Sequence, residues 1–77
     1  MNENIKQTIN EFASYYSDYN HVSLEQAHRD FEDYGVIDYI IRWSYLISHG
    51  SPHLIARRLT GIVQDKKRLR ASVGISV

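Results

Sequence analysis

Ile5, Ile9, Phe12 and Tyr16 recur at intervals of four, three and four residues. That spacing sets all four on one face of a helix that turns once every 3.6 residues. The period returns three more times before the chain ends, at Leu24–Ala27–Phe31–Tyr34, at Val36–Ile40–Trp43–Ile47 and at Ile55–Leu59–Ile62–Leu69. Apolar residues held to this period along nearly a whole chain can be buried only by packing helix on helix. The expected fold class is therefore all-α, a small bundle of four short helices.

The punctuation between the stripes agrees. The first helix is predicted from about Glu3 to Asp18, with Ala13 on its apolar stripe, and "DYNHVS" then breaks the period at a turn containing Asn20 and His21. Ser23 and Gln26 form an S-x-x-Q capping box, in which each side chain satisfies a backbone N–H of the other residue. Glu25 and Arg29, one turn apart, can pair across the surface of the second helix.

Gly35 follows Tyr34, the last periodic residue, where the left-handed conformation comes at low cost only to glycine. A phosphate-binding loop would need further glycines and a preceding strand, and the stretch "FEDYGVIDYIIRW" has neither, so Gly35 reads as a helix stop. The third helix is predicted from Val36 or Asp38 to Ser48. Ile37, Tyr39, Ile41 and Leu46 widen its apolar coverage, which predicts contact on several sides and places it at the centre of the fold. His49 and Gly50 close it.

Ser51 and Pro52 open the fourth helix as N-cap and first helical residue. Val63 lies beside its apolar row, and Gly61 lies inside it, where close packing or a kink would account for a glycine. The run "KKRLR" is expected at the helix C-terminus, where cations complement the macrodipole. The domain reading is one helical unit over residues 1–70 and a flexible tail over 71–77.

Seventy-seven residues make one domain, and a chain of this size buries only about 60% of the surface it exposes when unfolded. With no cysteine, neither disulfides nor thiolate zinc sites can reinforce it, which leaves helix packing or a partner. Cysteine-free composition also fits a reducing compartment. The opening "MNENIKQTIN" lacks a basic stretch followed by an apolar run, so no signal peptide is expected. The apolar region 36–47 is interrupted by Asp38, Arg42 and Ser44, so no membrane span is expected either. The expected localisation is cytoplasmic.

A formal net charge of zero conceals a split. Residues 1–50 carry three basic and eight acidic side chains, whereas residues 51–77 carry six basic ones and Asp65. Two readings follow: the halves attract each other within the fold, or the basic end meets an anionic partner.

Chemistry-bearing constellations are sparse. His49 and His53 are separated by a helix break, and His21 and His28 flank the Ser23 cap, so no zinc-binding helical pair is expected. Asp30, Glu32, Asp33 and Asp38 alternate with core positions and are expected to form a solvated face rather than a catalytic pair. No nucleophile–base arrangement or nucleotide loop is present. Four short helices leave little room for a deep pocket. The expectation is a non-enzyme with no catalytic residue, metal, cofactor or small-molecule substrate.

Six tyrosines and one tryptophan exceed what so small a core can bury, and exposed Tyr, Trp and Arg are the residue types of binding hot spots. The main functional expectation is thus a protein–protein interaction module, binding a partner or a second copy of itself. Its contacts are Tyr15, Tyr19, Trp43 and Tyr45, with Arg57 and Arg58 supplying charge complementarity. The alternative is nucleic-acid binding through Arg57, Arg58, Lys66, Lys67, Arg68 and Arg70. "IARRLTGI" is similar to the opening helix of a helix-turn-helix reader, but no turn and recognition helix of the usual length follow Gly61.

The order aromatic–Gly–aliphatic–aliphatic–x–Tyr in "FEDYGVIDYI", Phe31 to Ile40, then a helix closing in "LISHG" and an apolar helix from near His53, resembles a family of small bacterial proteins. That family is catalogued as domain of unknown function thirty-seven ninety-one. The resemblance implies a compact helical protein whose gene often neighbours one for an ADP-ribosyltransferase-like protein. The function it implies is that of a small, antitoxin-like partner. No catalytic residues carry over, and the chain departs from the family pattern at Arg57 and Arg58, where acidic residues are expected.

Overall fold

The structure, a computed structural model, describes residues 3–75, with side chains to Ala71. It contains four helices, α1 Glu3–Asn20, α2 Leu24–Asp33, α3 Val36–Ile47 and α4 Pro52–Ile75, and no strand among the described residues. No helix among those residues is long and apolar enough to cross a membrane. The all-α bundle read from the spacing is the observed fold.

Each boundary has a local cause. α1 runs to Asn20, two residues past the expected end, and closes with His21 in the left-handed region at φ 55°. The Val22 N–H then reaches back to the Ser17 carbonyl at 3.1 Å, satisfying a carbonyl of the last turn in the Schellman pattern. Ser23 caps α2, its Oγ accepting the Gln26 N–H at 3.0 Å. The capping box is only half realised, because the Gln26 side chain turns inward and donates from Nε2 to Asp30 Oδ1 at 2.9 Å. Gly35, at φ 69°, ends α2 and stands directly before α3 as its N-cap. A Cβ at Gly35 would meet nothing within 4 Å, so the requirement for glycine is conformational, not spatial. Ser51 Oγ accepts the Leu54 N–H at 3.3 Å and starts α4.

The core is built from the predicted stripes. Phe31, Val36, Ile40, Leu59 and Val63 are its largest fully enclosed side chains. Burial of each contributes about 1.5–3 kcal/mol relative to exposure. Ile9, Phe12, Ala13 and Tyr16 line it from α1. The expectation of a central third helix needs correction. α1 packs against all three other helices and most extensively against α4. α3 buries only Val36, Ile40 and Ile47, while Ile41, Trp43, Tyr45 and Leu46 are exposed. α3 also meets all three other helices, as its wide apolar coverage predicts, but less extensively than α1, and part of that coverage is left as exposed surface.

α4 departs from expectation at its far end. It continues to Ile75, beyond the boundary set at residue 70, so "KKRLR" lies inside the helix and no basic residue occupies the last turn. Residues 76–77 of the expected tail lie outside the described residues. At 24 residues α4 is about 36 Å long and accounts for most of the 41 Å long axis. Leu69, expected in the core row, is 63% exposed.

Candidate functional site

Among the described residues the buried ionisable pair, Tyr16 with Asp30, is a structural tie. Tyr16, on α1, donates its hydroxyl to Asp30 Oδ2, on α2, at 2.8 Å, and Gln26 donates to the other oxygen. Asp30 is therefore buried and hydrogen-bonded, not part of the solvated acidic face expected for it; Glu32, Asp33 and Asp38 are exposed as expected. Burial first, then the bond to Asp30 and its charge, raise the Tyr16 phenol well above the ordinary tyrosine value. The ring also meets Phe31 edge-on, with centroids 5.3 Å apart. Neither Tyr16 nor Asp30 lines either of the two depressions described below. Among the described residues no group of three His, Asp or Glu comes together to hold a metal.

The six residues expected to form a binding surface are spread over three helices, α1, α3 and α4, and do not come together in one place. Tyr15 and Tyr19 border a depression of about 260 Å³ together with Pro52 and His53, and the Tyr19 ring stands edge-on to His53 at 5.2 Å. Tyr15 itself is half-buried against Phe12 at the rim of the core. Trp43 and Tyr45, two positions apart on α3, point about 200° from one another around the helix. Tyr45 meets His49 edge-on at 5.3 Å and is otherwise open to solvent. Arg57 and Arg58 line a larger groove between α3 and α4.

That groove has a volume of about 720 Å³. Leu46 and Ile47 form its α3 wall, Leu54, Ile55 and Gly61 its α4 wall, and Gly50 its end. Leu46 is 61% and Leu54 55% exposed, so two large apolar side chains face water across it. Arg57 and Arg58 are its only ionisable lining groups. Neither makes an ion pair or side-chain hydrogen bond among the described residues.

Leu46, Leu54 and Gly61 were not among the expected contacts. Leu46 had been assigned to burial along with the rest of α3. Leu54 carried a signal of a different kind, a large apolar residue in the first turn of α4 outside its core stripe. A mid-helix glycine was legible in sequence, but close packing within the fold does not explain it. A Cβ at Gly61 meets nothing within 4 Å.

The basic residues of α4 divide into two sets. Arg70 lies 4.5 Å and Lys67 5.6 Å from the Tyr34 ring centroid, and Arg70 also donates to the Asp33 carbonyl at the C-terminal end of α2. All six are exposed, but Arg57, Arg58, Lys66 and Arg68 contact no aromatic ring among the described residues. Attraction between the two ends of the chain is thus carried by an aromatic ring and a helix terminus. The single ion pair among the described residues, Arg29 with Glu25 at 3.1 Å, is local to α2.

Comparison with protein-family models, with characterised proteins and with solved structures finds no match to this chain. The residues that carry the likeness described above, Phe31, Tyr34, Gly35, Val36 and Ile40, are core and cap residues in this fold.

Proposed function

We propose that this chain is a non-enzymatic interaction module, a small regulatory or antitoxin-like partner that acts by binding another protein in a cytoplasmic setting. The observation that carries this reading is the groove between α3 and α4, where Leu46 and Leu54 stand exposed beside two arginines without intramolecular partners. Apolar area flanked by Arg is the composition of protein-binding hot spots. Asp30, the buried carboxylate, is held by Tyr16 and Gln26 in a tie between α1 and α2, which is a structural role. The likeness at Phe31–Ile40 adds a small partner protein as the expected biological role.

Affinity capture from the native host, read by mass spectrometry, tests it. The wild type should retain a protein that a Leu46→Asp/Leu54→Asp variant loses. Both substitutions lie on exposed positions, so the variant keeps its fold. Identical capture by the two proteins would sink the reading.

A second reading rests on Arg57, Arg58, Lys66, Lys67, Arg68 and Arg70, six exposed cations on α4, of which Arg57, Arg58, Lys66 and Arg68 contact no aromatic ring among the described residues. They would bind nucleic acid through phosphates, with affinity falling steeply as salt rises. Lys67 and Arg70 are drawn to Tyr34, which leaves fewer cations for a duplex than the sequence count suggests. Anisotropy titrations with labelled duplex and single-stranded oligonucleotides at low salt decide it, and the interaction-module reading expects no binding.

A further inference from the structure

Three properties of the α3–α4 groove converge on one kind of occupant. Its walls offer Leu46 and Leu54 to an apolar surface. Its charge is wholly positive, from Arg57 and Arg58, and nothing in the described chain neutralises it. Its α4 wall is cut back at Gly61, a helix-interior glycine that is disfavoured relative to alanine and that no neighbour in the chain requires. An absent side chain at that point lets another backbone approach α4 closely.

Resting on the protein-binding reading above, we propose that this groove receives an acidic amphipathic helix of a partner protein. The partner's apolar stripe lies against Leu46 and Leu54, its backbone passes close to α4 at Gly61, and its carboxylates meet Arg57 and Arg58. The dimensions suit such a guest. From Leu54 to Gly61 the wall runs about 10 Å along α4, which matches two turns of a docked helix with anchors three, four and seven residues apart. Both arginines present forked donors suited to carboxylates. A second copy of the chain fits less well. A two-fold contact centred on the groove would set Arg57 and Arg58 of both copies together with no lining carboxylate between them.

Three labelled peptides about four helical turns long test this against the full chain, by fluorescence anisotropy. They share one leucine stripe and differ only at the flanking positions, which carry Glu, Gln or Lys. The Glu peptide should bind at least about tenfold tighter than the Lys peptide and weaken with added salt. Arg57→Glu/Arg58→Glu should reverse that order. Gly61→Leu, whose new side chain enters open space, should abolish binding while the helical circular dichroism and melting transition persist. Equal binding of all three peptides, lost in Gly61→Leu, would overturn the acidic guest yet leave the protein-binding reading intact. Binding of none would overturn the groove as a helix site, and the capture experiment would then judge the broader reading separately. A wild-type dimer in sedimentation equilibrium that Gly61→Leu dissociates would give the groove to a second copy and overturn the proposal.

Discussion

Tyr16 donates a 2.8 Å hydrogen bond to Asp30 inside the core, and this contact ties α1 to α2. Both carboxylate oxygens of Asp30 are occupied, one by Tyr16 and one by Gln26, which is what makes a buried acid tolerable. Tyr16→Phe keeps the ring and its edge contact with Phe31 and deletes only the hydroxyl. The variant should lose about 1–3 kcal/mol in urea denaturation, the usual cost of leaving a buried acceptor unsatisfied. A loss below roughly 0.5 kcal/mol would show that water replaces the phenol.

The same bond predicts alkaline sensitivity. In the folded chain the Tyr16 phenol is pushed above the ordinary tyrosine value of about 10, chiefly because it is buried. Between its unfolded and folded values, the unfolded state binds fewer protons than the folded one, so stability must fall as pH rises. This contribution is intact below pH 10 and is lost progressively above it. The urea midpoint of the wild type should therefore drop from about pH 9 to about pH 11, and the drop should be smaller in Tyr16→Phe.

Two glycines should respond to alanine with opposite sign. Neither has a neighbour within 4 Å of an added Cβ, so conformation alone decides. Gly35 holds φ 69°, and Gly35→Ala should cost about 1–2 kcal/mol from the left-handed backbone. Gly61 lies within regular helix, and Gly61→Ala should add about 0.5–1 kcal/mol to stability. Thermal melting of both variants checks the pair. A destabilising Gly61→Ala would show that α4 is irregular at that position.

Helices, caps and most core residues were legible in the sequence because each follows from local spacing. The Ser23 cap, the Gly35 stop and the Ser51–Pro52 start each depend on residues within a turn of one another. What the spacing did not carry is which helix lies between which others. On paper the apolar coverage of α3 is the broader, yet α1 packs the more extensively and α3 leaves Ile41, Trp43, Tyr45 and Leu46 exposed. Leu46 departs from expectation for that reason: an apolar stripe records the capacity to be buried and says nothing of what arrives to bury it. Asp30 was misplaced because its donor, Tyr16, lies fourteen residues away on another helix. The candidate groove joins the end of α3 to the start of α4, so its members became a site only once the two helices were set side by side.

The hold of the basic end on α2 can be isolated by a double-mutant cycle. Arg70 stacks over Tyr34 at 4.5 Å and also donates to the Asp33 carbonyl, so Arg70→Met alone removes two interactions at once. Tyr34→Leu removes the ring and leaves the carbonyl in place. The cycle cancels the carbonyl bond and leaves only the coupling between guanidinium and ring. That coupling should be about 0.5–1 kcal/mol, the range for a cation over an aromatic face at an exposed site. A value near zero would mean that the carbonyl alone anchors this part of α4. The charge split of the sequence would then act through the field at the end of α2, and stability would fall measurably as salt screens it.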